Sequence, residues 1–202
     1  MQAVEDQITI FLENTEMYIA PSNTAVAIFI GTNDLTFFTS KFHPSPANET
    51  DHFAIPGTTL PALATCVVAQ VERLINLGFN RIVVFEAIPL QYTQLFSANM
   101  TQGYGYKIVQ DGPFVASTMA TLVDSNNDIQ KLTLVSKYQH SAEQVSIFPT
   151  HGLYLDEYKN PEKYGYKTVD GFCNICPSSL GSSGVCAPCS NPDDFLFFDQ
   201  LQ

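Results

Sequence analysis

The sequence predicts an α/β fold in which helices pack on a parallel sheet. Residues 25–30 (AVAIFI) and residues 81–85 (RIVVF) are apolar runs of strand length, typical of strands that a sheet buries on both faces. Stretches with apolar side chains at helical spacing precede the first run and separate the two. This alternation of helix and strand is typical of parallel strands joined by right-handed crossovers.

The elements of the first half are clearly marked. Residues 4–18 carry apolar side chains at helical spacing, and the proline that follows is expected to end this helix. A loop is predicted over residues 36–58, which contain three prolines. The next helix is predicted to begin at Thr59 and to end at Gly78, where glycine favours a left-handed cap.

The second half has weaker patterns. A helix is predicted over residues 114–123, and the alternation in residues 131–136 predicts a third strand. Residues 146–158 are ambiguous and are predicted as a turn followed by a short helix. The last forty or so residues are expected to be mainly loop, because Ser, Gly and Pro are frequent there.

Composition favours one domain and excludes some partners. The chain has 202 residues, of which 45% are hydrophobic, which is ample for one core. Asp and Glu number 20 against 9 Lys and Arg, so the net charge is −11. A polyanion binds nucleic acid and anionic membranes poorly, and no apolar run approaches the roughly 20 residues that a membrane helix needs.

Four of the five cysteines lie in one loop, at about residues 171–190. They form two C-x-x-C pairs, Cys173 with Cys176 and Cys186 with Cys189. Two explanations are open: disulfides that hold a segment with little core, or a zinc site with four thiolate ligands. Cys66, on the second helix, is expected to be a buried thiol.

The N-terminus has acidic residues where a signal peptide would have lysines, so the sequence as it stands shows no export signal. Clustered cysteines are nevertheless typical of secreted proteins. We therefore expect the natural start to lie upstream of Met1.

The motif GTND, residues 31–34, directly follows the first predicted strand. Ligands of parallel sheets bind beyond the carboxyl ends of the strands, which makes this turn the first place to look for chemistry. Gly31 permits a sharp turn, and the neutral amide of Asn33 suits an oxyanion hole. Asp34 would fix the loop by accepting backbone hydrogen bonds. An ordinary strand-to-loop turn has the same composition and is the alternative.

Four collinear segments resemble the GDSL, or SGNH, hydrolases, especially the fungal and plant branch of that family. They are AVAIFIGTNDL, VVFEAIPLQYTQLF, FPTHGLYLDEYKNPEKYGY and CSNPDDFLFFDQLQ. The resemblance covers nearly the whole chain. It implies a three-layer α/β/α fold of flavodoxin-like type, from which the first strands of the usual sheet are missing. Residues 1–202 would then be one partial hydrolase domain.

The resemblance also implies site residues. Asn33 matches the asparagine of the oxyanion hole, and Asp199 matches the aspartate that orients the catalytic histidine. Gly31 and Asp34 would contact substrate beside Asn33. We expect Asn33 and Asp199 to converge at one rim of the parallel sheet.

Two members of the catalytic triad have no match. The chain contains no Gly-Asp-Ser run for the nucleophile, and Gln202 stands where the family has histidine. A glutamine amide cannot take a proton from serine, and losing either group from such a triad costs roughly 10⁶-fold in turnover. We therefore expect the chain as given to be inactive or incomplete, with an unpaired apolar sheet edge.

Other candidates have simpler explanations. His151 lies in FPTHGLY, where the family often has Asp-Thr-His. Pro149 replaces that aspartate, so we expect His151 to be structural. His43, His52 and His140 are expected on the surface, although the first two lie in the loop behind GTND. Tyr92 either lines the pocket or packs against another aromatic ring.

The resemblance implies a secreted, monomeric carboxylic ester hydrolase with no cofactor and no metal. A small ester or an acetylated carbohydrate is the expected substrate, and lipid esters are the second choice. The competing hypothesis is a catalytically inactive remnant or a carbohydrate-binding relative, which the missing serine favours. A zinc-bound interaction module would rest on the cysteines alone.

Overall fold

The computed structural model of the chain describes residues 4–13, 19–40, 59–93, 95–98, 112–139, 143–170, 173 and 189–197. The chain divides into two compact units. The sheet unit consists of Met1–Gly31, Ile55–Ala87 and Asp124–Pro149. The helical unit consists of Thr32–Ala54, Ile88–Val123 and Thr150–Gln202.

The described secondary structure alternates between helix and strand. The strands are β1 (Val26–Ile28), β2 (Ile82–Phe85) and β3 (Val145–Phe148). The α-helices are α1 (Val4–Glu13), α2 (Thr32–Ser40), α3 (Leu60–Asn76), α4 (Gly112–Tyr138), α5 (Thr150–Lys159) and α6 (Pro161–Tyr164). Short 3₁₀ turns are formed by Pro21–Asn23, Leu90–Tyr92 and Pro192–Asp194. Among the described residues, no helix is long and apolar enough to cross a bilayer.

The three strands form a parallel sheet in the order β1-β2-β3. In its register Ile28 lies beside Val84, and Val84 lies beside Ile147. The predicted α/β class with a parallel sheet is confirmed, and the architecture is compatible with a three-layer α/β/α fold. The two strands predicted from apolar runs are confirmed, although both are shorter than predicted.

Helices α1 and α3 and the second part of α4 cover one face of this sheet. The core residues that they share with the strands include Val71, Leu74, Ile82, Val84 and Leu134. Successive side chains of a strand point to opposite faces of the sheet, so only every second strand residue enters this core. The prediction that β1 is buried on both faces is wrong, because Ala27 and Phe29 are exposed.

Helix α3 begins and ends where its sequence predicts. The Thr59 hydroxyl accepts a hydrogen bond from the backbone N–H of Ala62 at 3.3 Å, and Pro61 occupies the first turn. Gly78 has a φ of +94° just beyond the last turn, which confirms the predicted left-handed cap. Cys66 is exposed on this helix, so its predicted burial is wrong.

Helix α4 is much longer than predicted. It continues through residues 131–136, where a third strand was expected from the alternation of apolar side chains. Its buried positions keep helical spacing to the end, but Asn126, Asn127 and Gln130 occupy three of them. Because these three side chains are polar, the pattern of apolar residues does not show that the helix continues. The third strand is instead β3, which overlaps the start of the segment predicted as a turn and a short helix, and that helix is confirmed as α5.

In the helical unit, a disulfide and a short parallel bridge join described residues near the C-terminus. Cys173 and Cys189 are joined in a disulfide. Thr168 pairs with Phe195, and the Lys167 ammonium lies 2.8 Å from a carboxylate oxygen of Asp194. The disulfide favours the first of the two interpretations of the cysteine loop, since it removes two of four zinc-binding thiolates. Cys176 and Cys186 lie outside the described residues.

The disulfide is expected to stabilise the helical unit through the loop that it closes. The two cysteines are 16 residues apart, and closing a loop of that length restricts the unfolded chain by about 3 kcal/mol. Cys189→Ser should therefore lower the free energy of unfolding by about 2–3 kcal/mol, measured by urea denaturation. Cys66→Ser is the control, and an equal loss in that variant would contradict the assignment.

Candidate functional site

The GTND motif forms a tight strand-to-helix turn. Strand β1 ends at Ile28, and α2 begins at Thr32, only four residues later. Gly31 lies between them with a φ of +122°, which residues with a side chain rarely adopt. A Cβ at Gly31 would meet Asn126 Nδ2 at 3.9 Å, an ordinary contact, so backbone conformation rather than space requires glycine here.

Asn33 is the second residue of α2, and its side chain is exposed. Backbone N–H groups in the first turn of a helix have no partner within the helix. A negatively charged oxygen atom near Asn33 could therefore accept hydrogen bonds from neutral donors. The predicted loop over residues 36–58 is wrong at its start, since α2 continues to Ser40.

Asp34 lies in the same first turn and is half-buried. Burial raises the pKa of its carboxyl group above the ordinary value, because the charged form loses water. A hydrogen bond involving its own backbone acts in the opposite direction and is the smaller cause. That Asp34 fixes the loop by accepting backbone hydrogen bonds from it stays a prediction.

Asn127 holds the backbone just beyond β2. Its Oδ1 accepts a hydrogen bond from the Ala87 N–H at 2.9 Å, and its Nδ2 donates one to the Ala87 carbonyl at 3.0 Å. Both groups are buried, so neither could be satisfied by water. Asn126, the preceding residue, lies near Gly31. The two loops that leave β1 and β2 therefore both lie against the amide pair of α4.

This positioning role was missed in the sequence. Adjacent asparagines are common in loops, and neither belongs to a catalytic motif. The available signal was their position between Val123 and Leu134, where helical spacing requires buried side chains. A polar residue at such a position needs a specific hydrogen-bond partner.

Asp199, the residue predicted to complete the site with Asn33, lies outside the described part of the chain. The histidines that were expected on the surface, His43, His52 and His140, also lie outside it. Convergence of Asn33 and Asp199 therefore stays a prediction. His151, in the first turn of α5, is half-buried.

Tyr92 packs against another tyrosine within the helical unit. Its ring centroid lies 4.1 Å from that of Tyr158, with the rings stacked at 27°. Burial raises the pKa of the Tyr158 hydroxyl, with smaller contributions from Asp170 and Tyr92. This contact supports aromatic packing as the role of Tyr92.

A polar cluster joins α5 to α6. Asp156 accepts hydrogen bonds from the Lys163 ammonium at 2.7 Å and from the Tyr164 hydroxyl. The hydrogen bond from Lys163 is the main reason that the pKa of Asp156 lies below its usual range, and the pair raises the pKa of Lys163 to about 12. The three groups are solvent-accessible and hold two helices together.

Within the described residues, no group of three or more His, Cys, Asp and Glu side chains could hold a metal.

The comparison with known proteins gives one informative similarity. No protein-family model matches the chain. The chain is 24% identical over 214 aligned positions to an acetylesterase from Hypocrea jecorina. The match covers 98% of this chain but 58% of the acetylesterase, so the chain spans little more than half the length of that relative.

The two hydrogen bonds between Asn127 and the Ala87 backbone, the Asn127 clamp, should contribute to the free energy of unfolding. Asn127→Ala leaves the buried N–H and C=O of Ala87 without partners, which is expected to lower the free energy of unfolding by about 1–3 kcal/mol. Asp128→Ala, at the exposed next position of α4, is the matched control and should change it little. Equal effects of the two substitutions in urea denaturation would contradict the clamp.

The raised pKa of Asp34 predicts that ionising this carboxyl group lowers the free energy of unfolding. Folded protein holds this proton more tightly than unfolded protein, so its contribution to the free energy of unfolding falls as pH rises from about 4 through the folded pKa. Asp34→Asn should therefore stabilise the protein at pH 7 and do so less at pH 4. Asp128→Asn, at an exposed position, is the control. If Asp34→Asn is the less stable protein at pH 7, the inferred burial of the charge is wrong.

Proposed function

We propose that this chain functions in a carboxylic ester hydrolase of the GDSL or SGNH type that deacetylates a carbohydrate ester. The observation that carries the proposal is the similarity to an acetylesterase across 98% of the chain. A relative named for acetyl esters supports a small acyl group, and the resemblance to fungal family members supports a sugar as its carrier. Lipid esters are the alternative substrate.

In the proposed reaction, a serine hydroxyl attacks the ester carbonyl and a histidine accepts its proton. The carbonyl oxygen becomes negatively charged, and the Asn33 side-chain N–H donates a hydrogen bond to it. Gly31 gives the turn the conformation that presents Asn33, while Asp34 lies beside it in the first turn of α2. Asp199 orients the histidine.

The serine and histidine of the family motifs have no match among these 202 residues, and we propose that other residues supply both groups in the working enzyme. The chain spans 58% of the length of the acetylesterase, which leaves room in such a protein for further catalytic groups. The Cys173–Cys189 disulfide supports an oxidising compartment, and we propose secretion. We also propose that the protein is a monomer and uses no cofactor.

A catalytically inactive, carbohydrate-binding relative is the second candidate. The specific observations in its favour are the absence of a Gly-Asp-Ser run and the presence of glutamine at position 202. Such a protein would bind an acetylated oligosaccharide without turning it over.

Turnover of p-nitrophenyl acetate separates the two candidates. The assay compares this chain with a fusion that adds the acetylesterase segment outside the match and carries Gln202→His. The chain alone should be inactive, and the fusion should be active. In the fusion, Asn33→Ala should lower kcat about 10²–10³-fold with a smaller change in KM, because the hydrogen bond forms mainly in the transition state.

Asn76→Ala is the matched control, since it removes an exposed amide from the end of α3. Equal kcat in the Asn33→Ala and Asn76→Ala fusions would contradict the oxyanion role. A fusion that binds acetylated oligosaccharide but hydrolyses no ester would favour the inactive relative.

A further inference from the structure

Helix α4 carries two adjacent buried asparagines whose amides are used differently. Both ends of the Asn127 amide hydrogen-bond to the Ala87 backbone, at 2.9 and 3.0 Å. Asn126 is buried at least as deeply, with 5% of its surface exposed against 8% for Asn127. Within the described part of the chain, however, the Asn126 side chain forms no hydrogen bond. The protein therefore uses both ends of one amide and neither end of its neighbour.

The unpaired amide lies beside the GTND turn. The Nδ2 atom of Asn126 is 3.9 Å from the position that a Cβ on Gly31 would occupy. Gly31 comes three residues after Ile28, the last residue of β1, so the amide lies near the carboxyl end of that strand. Ligands of parallel sheets bind at this end. Because residue 31 is glycine, it places no side-chain atom against the amide.

A buried amide without a partner destabilises a protein, because the amide loses its water on folding and gains nothing in exchange. Most buried polar groups in native proteins are hydrogen-bonded, and the exceptions require an explanation such as a bound ligand or an ordered water molecule. An apolar side chain of similar shape, such as leucine, avoids this cost. Asparagine at position 126 therefore indicates a hydrogen-bond partner from outside the polypeptide.

The chemistry of the amide selects an uncharged oxygen as that partner. The two N–H groups on Nδ2 are neutral donors, which suit a carbonyl oxygen. A free carboxylate or phosphate would bring a negative charge into a buried place that offers no positive charge. The net charge of −11 on the chain adds to the repulsion of such an anion.

We propose that Asn126 is a substrate-binding residue whose amide donates a hydrogen bond to the carbonyl oxygen of an acetyl ester. The ester lies beyond the carboxyl end of β1, beside Gly31. The identity of the ester rests on the proposed function, whereas the position of the donor does not. An ordered water molecule is the competing occupant, and it would not distinguish an ester from an ether.

The first test compares substitutions at the two adjacent asparagines. Asn126→Leu should leave the urea denaturation midpoint unchanged or raise it, because leucine removes an unpaired amide and breaks no hydrogen bond. Asn127→Leu should lower the midpoint, because the N–H and C=O of Ala87 lose their partners. Asn126→Ala adds no volume and gives the same readout if leucine does not fit. Equal losses at the two positions would mean that Asn126 has a structural partner, which overturns the proposal.

The second test is the binding of ethyl acetate to the full chain, observed by NMR. Diethyl ether is the matched probe, because it has a methylene group in place of the carbonyl. The Asn126 side-chain amide and the Gly31 backbone amide should shift saturably with ethyl acetate and not with the ether. Asn126→Leu should weaken the binding seen at Gly31 by about tenfold or more, whereas Asn76→Ala should not.

The remaining outcomes also decide. No shift with ethyl acetate, equal shifts with the two probes, or binding that Asn126→Leu leaves unchanged would overturn the proposal and leave water as the occupant. Binding that depends on Asn126, together with a fusion that hydrolyses no ester, would refute the proposed function and leave the binding residue in place. An active fusion in which Asn126→Leu changes neither kcat nor KM would do the opposite.

Discussion

The central strand β2 is the constraint on which the rest of the structure depends. It pairs with a parallel strand on each side, and its Val84 is completely buried at the middle of that register. Because the register fixes where each strand ends, it also fixes where each following loop starts. Ala87 and Gly31 leave neighbouring strands and lie against adjacent asparagines of α4. A slip of one residue in this sheet would reverse which side chains enter the core, and would move both loops.

The same register produces two very different faces. On one, Ile28, Ile82 and Val145 join helices in a continuous apolar core. On the other, Ala27, Phe29, Ser146 and Phe148 are exposed, while Val83 and Phe85 are partly buried. A parallel sheet with one covered face is unusual among globular proteins.

Local sequence signals predicted the elements that depend on local chemistry. The cap at Thr59, the left-handed Gly78 and the apolar runs of β1 and β2 each carry their cause within a few residues. Elements that depend on distant partners were mispredicted. The buried asparagine at position 127 is explained only by a backbone 40 residues away, and without it the second part of α4 resembles an alternating strand.

The candidate site was predictable to a similar extent. The turn at Gly31 could be predicted from the glycine itself and from the apolar strand before it. Asn33, the oxyanion-hole candidate, is exposed two residues later. The positioning role of α4 could not be predicted, because it requires knowing which strand loops share one helix. The expected burial of the Cys66 thiol on α3 was also wrong, because the spacing of apolar residues along a helix gives only an approximate direction for each side chain.

The central proposal is that the Asn33 amide and the Asp199 carboxylate lie close together. Paramagnetic relaxation in solution tests it directly, with a nitroxide attached at Asp199→Cys and the Asn33 side-chain amide observed by NMR. The parent chain, treated with the same reagent, accounts for labelling of the native cysteines. Strong broadening of the Asn33 amide, with little effect on the exposed Asn76 amide, is the predicted result. An Asn33 signal unchanged from that of the treated parent chain would contradict the hydrolase site.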